Sequence, residues 1–145
     1  MRDGLLVALI LILLSLSMYG QRVNYSSFVV EYSDSLRIPL SVVWNLSSSD
    51  IGKVKRKPSM KFYVDDTLSV AKVTPDNYTR SGFDRGHMCP AADRSISEKL
   101  MRETFVMTNI TPQAPKLNRG SWKWLEDTCR ISRSEERFSR NAETD

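Results

Sequence analysis

Histidine is almost missing from this chain: His87 is the only one in 145 residues. Any metal centre that needs two imidazoles is therefore excluded. Cysteine is scarce as well, and Cys89 and Cys129 alone cannot make a disulfide-dense scaffold. Beyond the first twenty residues no run is apolar enough to span a bilayer. What remains is ordinary globular material, with 41% apolar and 26% charged residues. That balance excludes fibrous and wholly disordered classes, and the length fits one domain.

The N-terminus stands apart. Leu5 to Leu16 is an apolar run of twelve, preceded by Arg2 and followed by Ser17-Met18-Tyr19-Gly20. A spanning helix needs about 20 apolar residues, whereas about 7–15 suits a secretory h-region. Residues 1–20 are read as a signal peptide, with an uncleaved anchor as the alternative. The product is expected to be secreted or periplasmic, without stable membrane association after cleavage. Export permits a Cys89–Cys129 disulfide, for which the sequence supplies no distance. Arg2 and Asp3 cancel, and four arginines balance four acids in 130–145, so the whole net charge of +4 falls in residues 21–129. An excess of that sign attracts polyanions, although on charge alone an ordinary soluble surface is the favoured reading.

The pattern along the mature chain predicts strands at Phe28–Tyr32, Leu40–Leu46, Met60–Val64 and Thr104–Asn109. Ser95-x-x-Glu98 reads as a capping box opening a short helix through Arg102. Leu117 to Arg130 has the length of a second helix, despite Gly120 near its start. The fold class is mixed, with strands first and helices later. Lys53, Lys55, Arg56 and Lys57 form a basic run that reads as a solvated loop.

Chemistry concentrates between Phe83 and Arg130. Asp84-Arg85-Gly86-His87 sets an acid, a guanidinium and an imidazole within four residues. Imidazole suits proton transfer near neutral pH, so His87 is the candidate general base; a purely structural histidine is the alternative. On a helix, Asn118, Trp122, Glu126 and Arg130 share one flank, each about 40° from the last. Mg²⁺ takes oxygen ligands and keeps several waters, so one Asn and a nearby Glu suffice to hold it. Alternatively, Asn118 is an N-cap and Glu126–Arg130 an i,i+4 ion pair. Trp122, Trp124 and Leu125 read as core.

Phe83-Asp84-Arg85-Gly86-His87-Met88-Cys89-Pro90 resembles the signature of the DNA/RNA non-specific endonucleases. The likeness continues through Asp93-Arg94, Thr108-Asn109-Ile110-Thr111-Pro112-Gln113, Asn118-Arg119-Gly120 and Trp122 to Leu125-Glu126. Trp44-Asn45-Leu46 and Asp76-Asn77-Tyr78 match weaker positions. Together these cover roughly residues 40–130, in compatible order and spacing.

The resemblance implies an α+β protein with a ββα-metal (His-Me finger) nuclease fold. By that likeness His87 deprotonates water, and Asn118 is the protein ligand to one Mg²⁺, with Mn²⁺ or another divalent ion as an alternative. Glu126 would orient the waters on that ion. Arg85 and Arg130 would contact the scissile phosphate, Asn109 would help fix it and the local backbone, and Arg56 would supply a further phosphate contact. Asp84 is expected to be a structural partner. The substrates implied are DNA and RNA, cut to 5′-phosphate and 3′-hydroxyl ends.

After Arg130 the family-like character stops. Residues 131–145 are polar and without strand or amphipathic pattern, so they are expected to be a disordered tail. The domain is thus expected to be 21–130 and to lack the family's C-terminal half, through truncation or a frameshift. A catalytically inactive remnant that only binds nucleic acid is the alternative function. A thiol hydrolase pairing His87 with Cys89 or Cys129 is a third reading, with no orienting group evident.

Overall fold

A computed structural model describes residues 20–52, 54–67 and 73–142, with side chains through Glu135. The expected signal peptide, apart from Gly20, lies outside the described residues. Three strands come first: β1 (Gln21–Asn24), β2 (Val29–Ser33) and β3 (Ile38–Val43), an antiparallel meander in that order. Central β2 carries the period-two pattern, with Phe28, Val30 and Tyr32 buried along one face. Pro39, which has no N–H to give, sits in the edge strand β3 opposite Tyr32, where the register shifts.

A second sheet pairs β4 (Asp84–His87) with β5 (Ile110–Gln113), antiparallel. The chain between them makes a 3₁₀ turn at Ala91–Arg94, helix α1 (Glu98–Glu103) and another 3₁₀ turn at Met107–Asn109. After β5 comes a wide π-type turn, Leu117–Trp122, that passes into helix α2 (Lys123–Ala142). Strands β4 and β5 with α2 make the expected ββα unit within an α+β fold.

Phe28, Val30, Tyr32, Cys89 and Val106 form one buried cluster; Met60, Met101 and Phe105 form a second. Neighbours Phe105 and Val106 belong to different clusters and so tie the two together. Each such fully buried side chain contributes about 1.5–3 kcal/mol. Polar stitching adds to this. The buried Arg94 guanidinium donates to the carbonyls of Ser27 (3.0 Å) and Asn45 (2.7 Å) and stands 3.6 Å from the Asp50 carboxylate. The Tyr25 hydroxyl pairs with Thr108 Oγ1 at 2.5 Å and donates to Asp65.

Several sequence expectations need correction. Met60–Val64 is not a ladder strand; it makes a single parallel bridge, Tyr63 to Val106. Thr104–Asn109 is a buried turn and 3₁₀ segment, its apolar residues serving the core rather than a sheet. Helix α1 is capped by Ser97, whose Oγ accepts from the Leu100 N–H at 3.2 Å. Ser95 instead accepts from the Gly52 N–H at 3.0 Å, an engagement that local spacing does not reveal. Residues 131–142, read as a patternless tail, continue α2 in the structure; their Arg, Glu and Ser content tolerates a helix.

Candidate active site

Residues from four parts of the chain surround one cavity of about 400 Å³. Strand β4 delivers His87 at its C-terminal end, opposite Ile110 of β5. The π turn and α2 deliver Asn118, Arg119, Lys123, Glu126, Asp127 and Arg130. Arg56 arrives from the loop before Met60, and Pro90, Ala91 and Ala92 form the floor beyond β4. Gly86 is required by close approach: a Cβ there would lie 2.2 Å from Gln113 Cδ.

The imidazole of His87 packs against Phe62 (5.4 Å between centroids) and edge-on against Phe105 (4.9 Å). Its Nε2 is covered and without a hydrogen-bond partner. Burial, assisted by the Arg56 guanidinium, pushes its pKa down to about 4. At neutral pH it is therefore an uncharged proton acceptor. Arg56 lies 4.8 Å from the Phe105 ring centroid, which places the basic loop at the cavity and not merely in solvent.

Asn118 is oriented by Asp84: its Nδ2 donates to Asp84 Oδ2 at 2.9 Å, leaving the amide oxygen as the donor atom for a ligand. Asp84 also accepts from Arg119 at 2.6 and 2.7 Å, and these two partners hold its carboxyl below the usual range. Asp84 is thus a structural partner, as expected. Burial pushes Glu126 up to about 7; Arg130 opposes this, while Asp93 and Asp127 reinforce it. A carboxyl in that state is poised to ionise fully beside a cation.

Arg130 donates to Asp93 Oδ1 at 2.6 Å and Asp127 Oδ1 at 2.5 Å, and Asp93 also accepts from Trp44 Nε1 at 3.0 Å. The Glu126–Arg130 pair, the alternative reading of that flank, gives way to this carboxylate bridge.

Of the residues singled out from sequence, His87, Asn118, Glu126, Arg130 and Arg56 meet at the cavity. Arg85 does not line it. Its guanidinium donates to the Pro75 carbonyl at 2.7 and 3.2 Å and stacks over Phe62 at 5.6 Å. Asn109 is fully buried and spends its amide on backbone groups of Cys89 and Thr104. Sequence reasoning missed the roles of Phe62 and Phe105 around His87, which no local pattern signals. It also left Arg119 and Lys123 unassigned, although their i,i+4 spacing was visible.

Both cysteines are free, Cys89 buried and Cys129 exposed, so the permitted disulfide is not formed. Burial pushes the Cys89 thiol up to about 12, removing it as a nucleophile. Among the described residues no three His, Cys, Asp or Glu side chains gather as a metal cluster. With Asp127 committed to Lys123 and Arg130, the cavity offers a cation the Asn118 amide oxygen and the Glu126 carboxylate, a donor set that fits a hard ion keeping most of its water. A larger cleft of about 490 Å³, between Trp44, Met88 and the Leu125–Cys129 side of α2, is mainly apolar and shares Glu126 but not His87 or Asn118.

A family model described as DNA/RNA non-specific endonuclease matches residues 13–139. A nuclease of Nostoc sp. is 40% identical over 107 residues, which cover 72% of this chain and 38% of that protein. The mitochondrial nuclease EXOG of Danio rerio is 39% identical over 108 residues, 73% of this chain and 31% of its own length. Mitochondrial endonuclease G of Bos taurus is 35% identical over 112 residues, 77% and 38% of the two chains. A crystal structure of the EndoG/EndoGI complex superimposes with a TM-score of 0.69 at 29% identity, over 79% of this chain and 48% of that one. This chain therefore spans well under half the length of the curated relatives it matches.

Proposed function

The chain belongs to the DNA/RNA non-specific endonuclease family, and we propose that it hydrolyses phosphodiester bonds of DNA and RNA with His87 as general base. The observation that carries the proposal is the meeting of an uncharged, unpartnered imidazole with Asn118, Glu126 and three arginines around one cavity. We assign Asn118 and Glu126 to a divalent cation, Mg²⁺ or Mn²⁺, Asn118 through its amide oxygen and Glu126 through the ion's waters.

The chemistry follows from the side chains. An anionic phosphodiester entering the cavity offsets the Arg56 charge and raises the affinity of His87 for a proton. His87 takes that proton from a water, and the hydroxide bonds to phosphorus as the bond to the 3′ oxygen breaks. Solvent protonates the departing oxygen, leaving a 5′-phosphate and a 3′-hydroxyl. Arg56 and the donors of Arg130 not committed to Asp93 and Asp127 face the phosphoryl oxygens. A bound cation would add positive charge against the oxygens that become more negative. Contacts confined to phosphate carry little sequence information, which suits action on both nucleic acids. Residues 1–20 are assigned to export, giving a secreted or periplasmic enzyme.

The test is cleavage of supercoiled plasmid and of structured RNA with Mg²⁺, with chelator, and with His87→Ala. Metal-dependent nicking that disappears in the variant is the expected result. Undiminished cutting by His87→Ala would remove the general-base assignment. Tight DNA binding by a folded wild-type chain that never cuts would make the protein a nucleic-acid binder instead.

A further inference from the structure

Four cations line the cavity, and they are not alike. Arg130 is only 14% exposed and committed to two carboxylates, and Arg56 is stacked on an aromatic ring. Arg119 and Lys123, in contrast, have side chains 72% and 62% exposed and line the same cavity from either side of the kink at Gly120. Arg119 is parked on Asp84 at 2.6 Å and Lys123 on Asp127 at 2.5 Å. Ion pairs whose cation is this exposed are screened by solvent and salt, so a better anion can displace the carboxylate.

Neither carboxylate depends on its exposed partner. Asp84 keeps Asn118 Nδ2, and Asp127 keeps Arg130 on its other oxygen. Release of Arg119 or Lys123 therefore leaves the inner cavity assembled. Two exposed cations thus line the same cavity as the imidazole, each held by a carboxylate that has a second partner.

From this arrangement, and resting on the nuclease reading above, we infer that Arg119 and Lys123 form a second phosphate subsite. It binds a phosphate of the same strand that flanks the scissile one. The ligand class is a single-stranded or locally opened polynucleotide long enough to present two or more phosphates. The pair adds affinity for polymer and carries no base readout.

The experiment uses the full chain in chelator, titrated into a fluorescein-labelled single-stranded decanucleotide over a range of KCl concentrations. Each phosphate contact on a single strand contributes about 0.7 to the slope of log affinity against log salt. Arg119→Gln/Lys123→Gln is expected to flatten that slope by about 1.4. Arg22→Gln/Arg37→Gln, in β1 and the β2–β3 turn and outside the cavity lining, serves as the charge-matched control and is expected to leave it unchanged. An unchanged slope in the cavity variant, or an equal fall in the control, overturns the subsite. A length series on the wild type gives an independent arm: affinity should step up between a dinucleotide and a tetranucleotide, and a smooth statistical rise contradicts the proposal. Plasmid cutting with Mg²⁺ by the same preparation separates the two claims. Cutting with an unchanged slope discards only the subsite; a flattened slope without cutting discards only the nuclease.

Discussion

Asn109 grips both backbone polar groups of Cys89 from twenty residues away: its Oδ1 accepts from the Cys89 N–H at 2.9 Å, and its Nδ2 donates to the Cys89 carbonyl at 3.0 Å. A third bond runs from Nδ2 to the Thr104 carbonyl at 2.9 Å. The backbone immediately after His87 is thereby fixed to the turn before β5. Replacing Asn109 with Ala strands buried backbone groups, each costing about 1–3 kcal/mol. The variant should lose on the order of 3 kcal/mol in urea unfolding. A loss below about 0.5 kcal/mol would show that water repairs the gap.

Acid should weaken the fold through His87. Its folded pKa is near 4, below the value near 6.5 of an exposed imidazole. Between those pH values the unfolded chain binds a proton that the folded chain refuses, so stability falls as pH is lowered through the window. The total is about 3 kcal/mol, complete near pH 4 and absent above pH 7. Glu126, raised to about 7, works in the opposite sense. It is retained in His87→Gln, so the difference between the two proteins isolates the imidazole. Denaturant titrations at pH 7 and pH 4.5 should find wild type losing about 2–3 kcal/mol more than the variant; parallel losses would contradict the buried neutral histidine.

Gly86→Ala drives a methyl into the Gln113 side chain, which is only 6% exposed. Overpacking of this kind costs about 1–3 kcal/mol. Shortening the obstacle should restore it: Gly86→Ala/Gln113→Ala is expected to melt above Gly86→Ala alone. Additive losses in that cycle would mean that the glycine is needed for backbone geometry instead.

The two thiols should separate cleanly. Ellman's reagent on the native chain is expected to modify one cysteine rapidly, Cys129, and the second only in guanidinium, because Cys89 is buried with its thiol pushed up to about 12. Nuclease activity surviving that modification also disposes of the thiol-hydrolase reading. Rapid reaction of both thiols would mean that the cluster around Val30 and Val106 opens readily.

The site was legible where its spacing is local. His87 follows directly from a tetrapeptide on one strand, and Asn118 and Glu126 reach the same cavity although a kink at Gly120 breaks the regular helix on which their spacing was read. What was not legible depends on distant partners. Arg85 turns to the Pro75 carbonyl, Arg130 is drawn to Asp93, and Ser95 is taken by Gly52, leaving Ser97 to cap α1. Each choice is decided by a group between three and about forty residues away that competes for the same donor or acceptor, and spacing along the chain says nothing of the competition. The second and third strands of the meander were readable from alternation, the third about two residues early of its predicted bounds, and β1 was not read at all. Met60–Val64 and Thr104–Asn109, in contrast, mimic strands because their apolar residues serve the core.

The hydroxyl of Tyr25 meets Thr108 across 83 residues, Ser26 meets Glu103 across 77, and Ser27 meets Arg94 across 67. Loop closure over such spans must come before the contacts that reward it. During synthesis the meander β1–β3 therefore waits with its apolar face uncovered until the segment through Asn109 has left the ribosome. The timing of folding is set by arrival of the late partner, and the interval before it is when a chaperone would have most to hold.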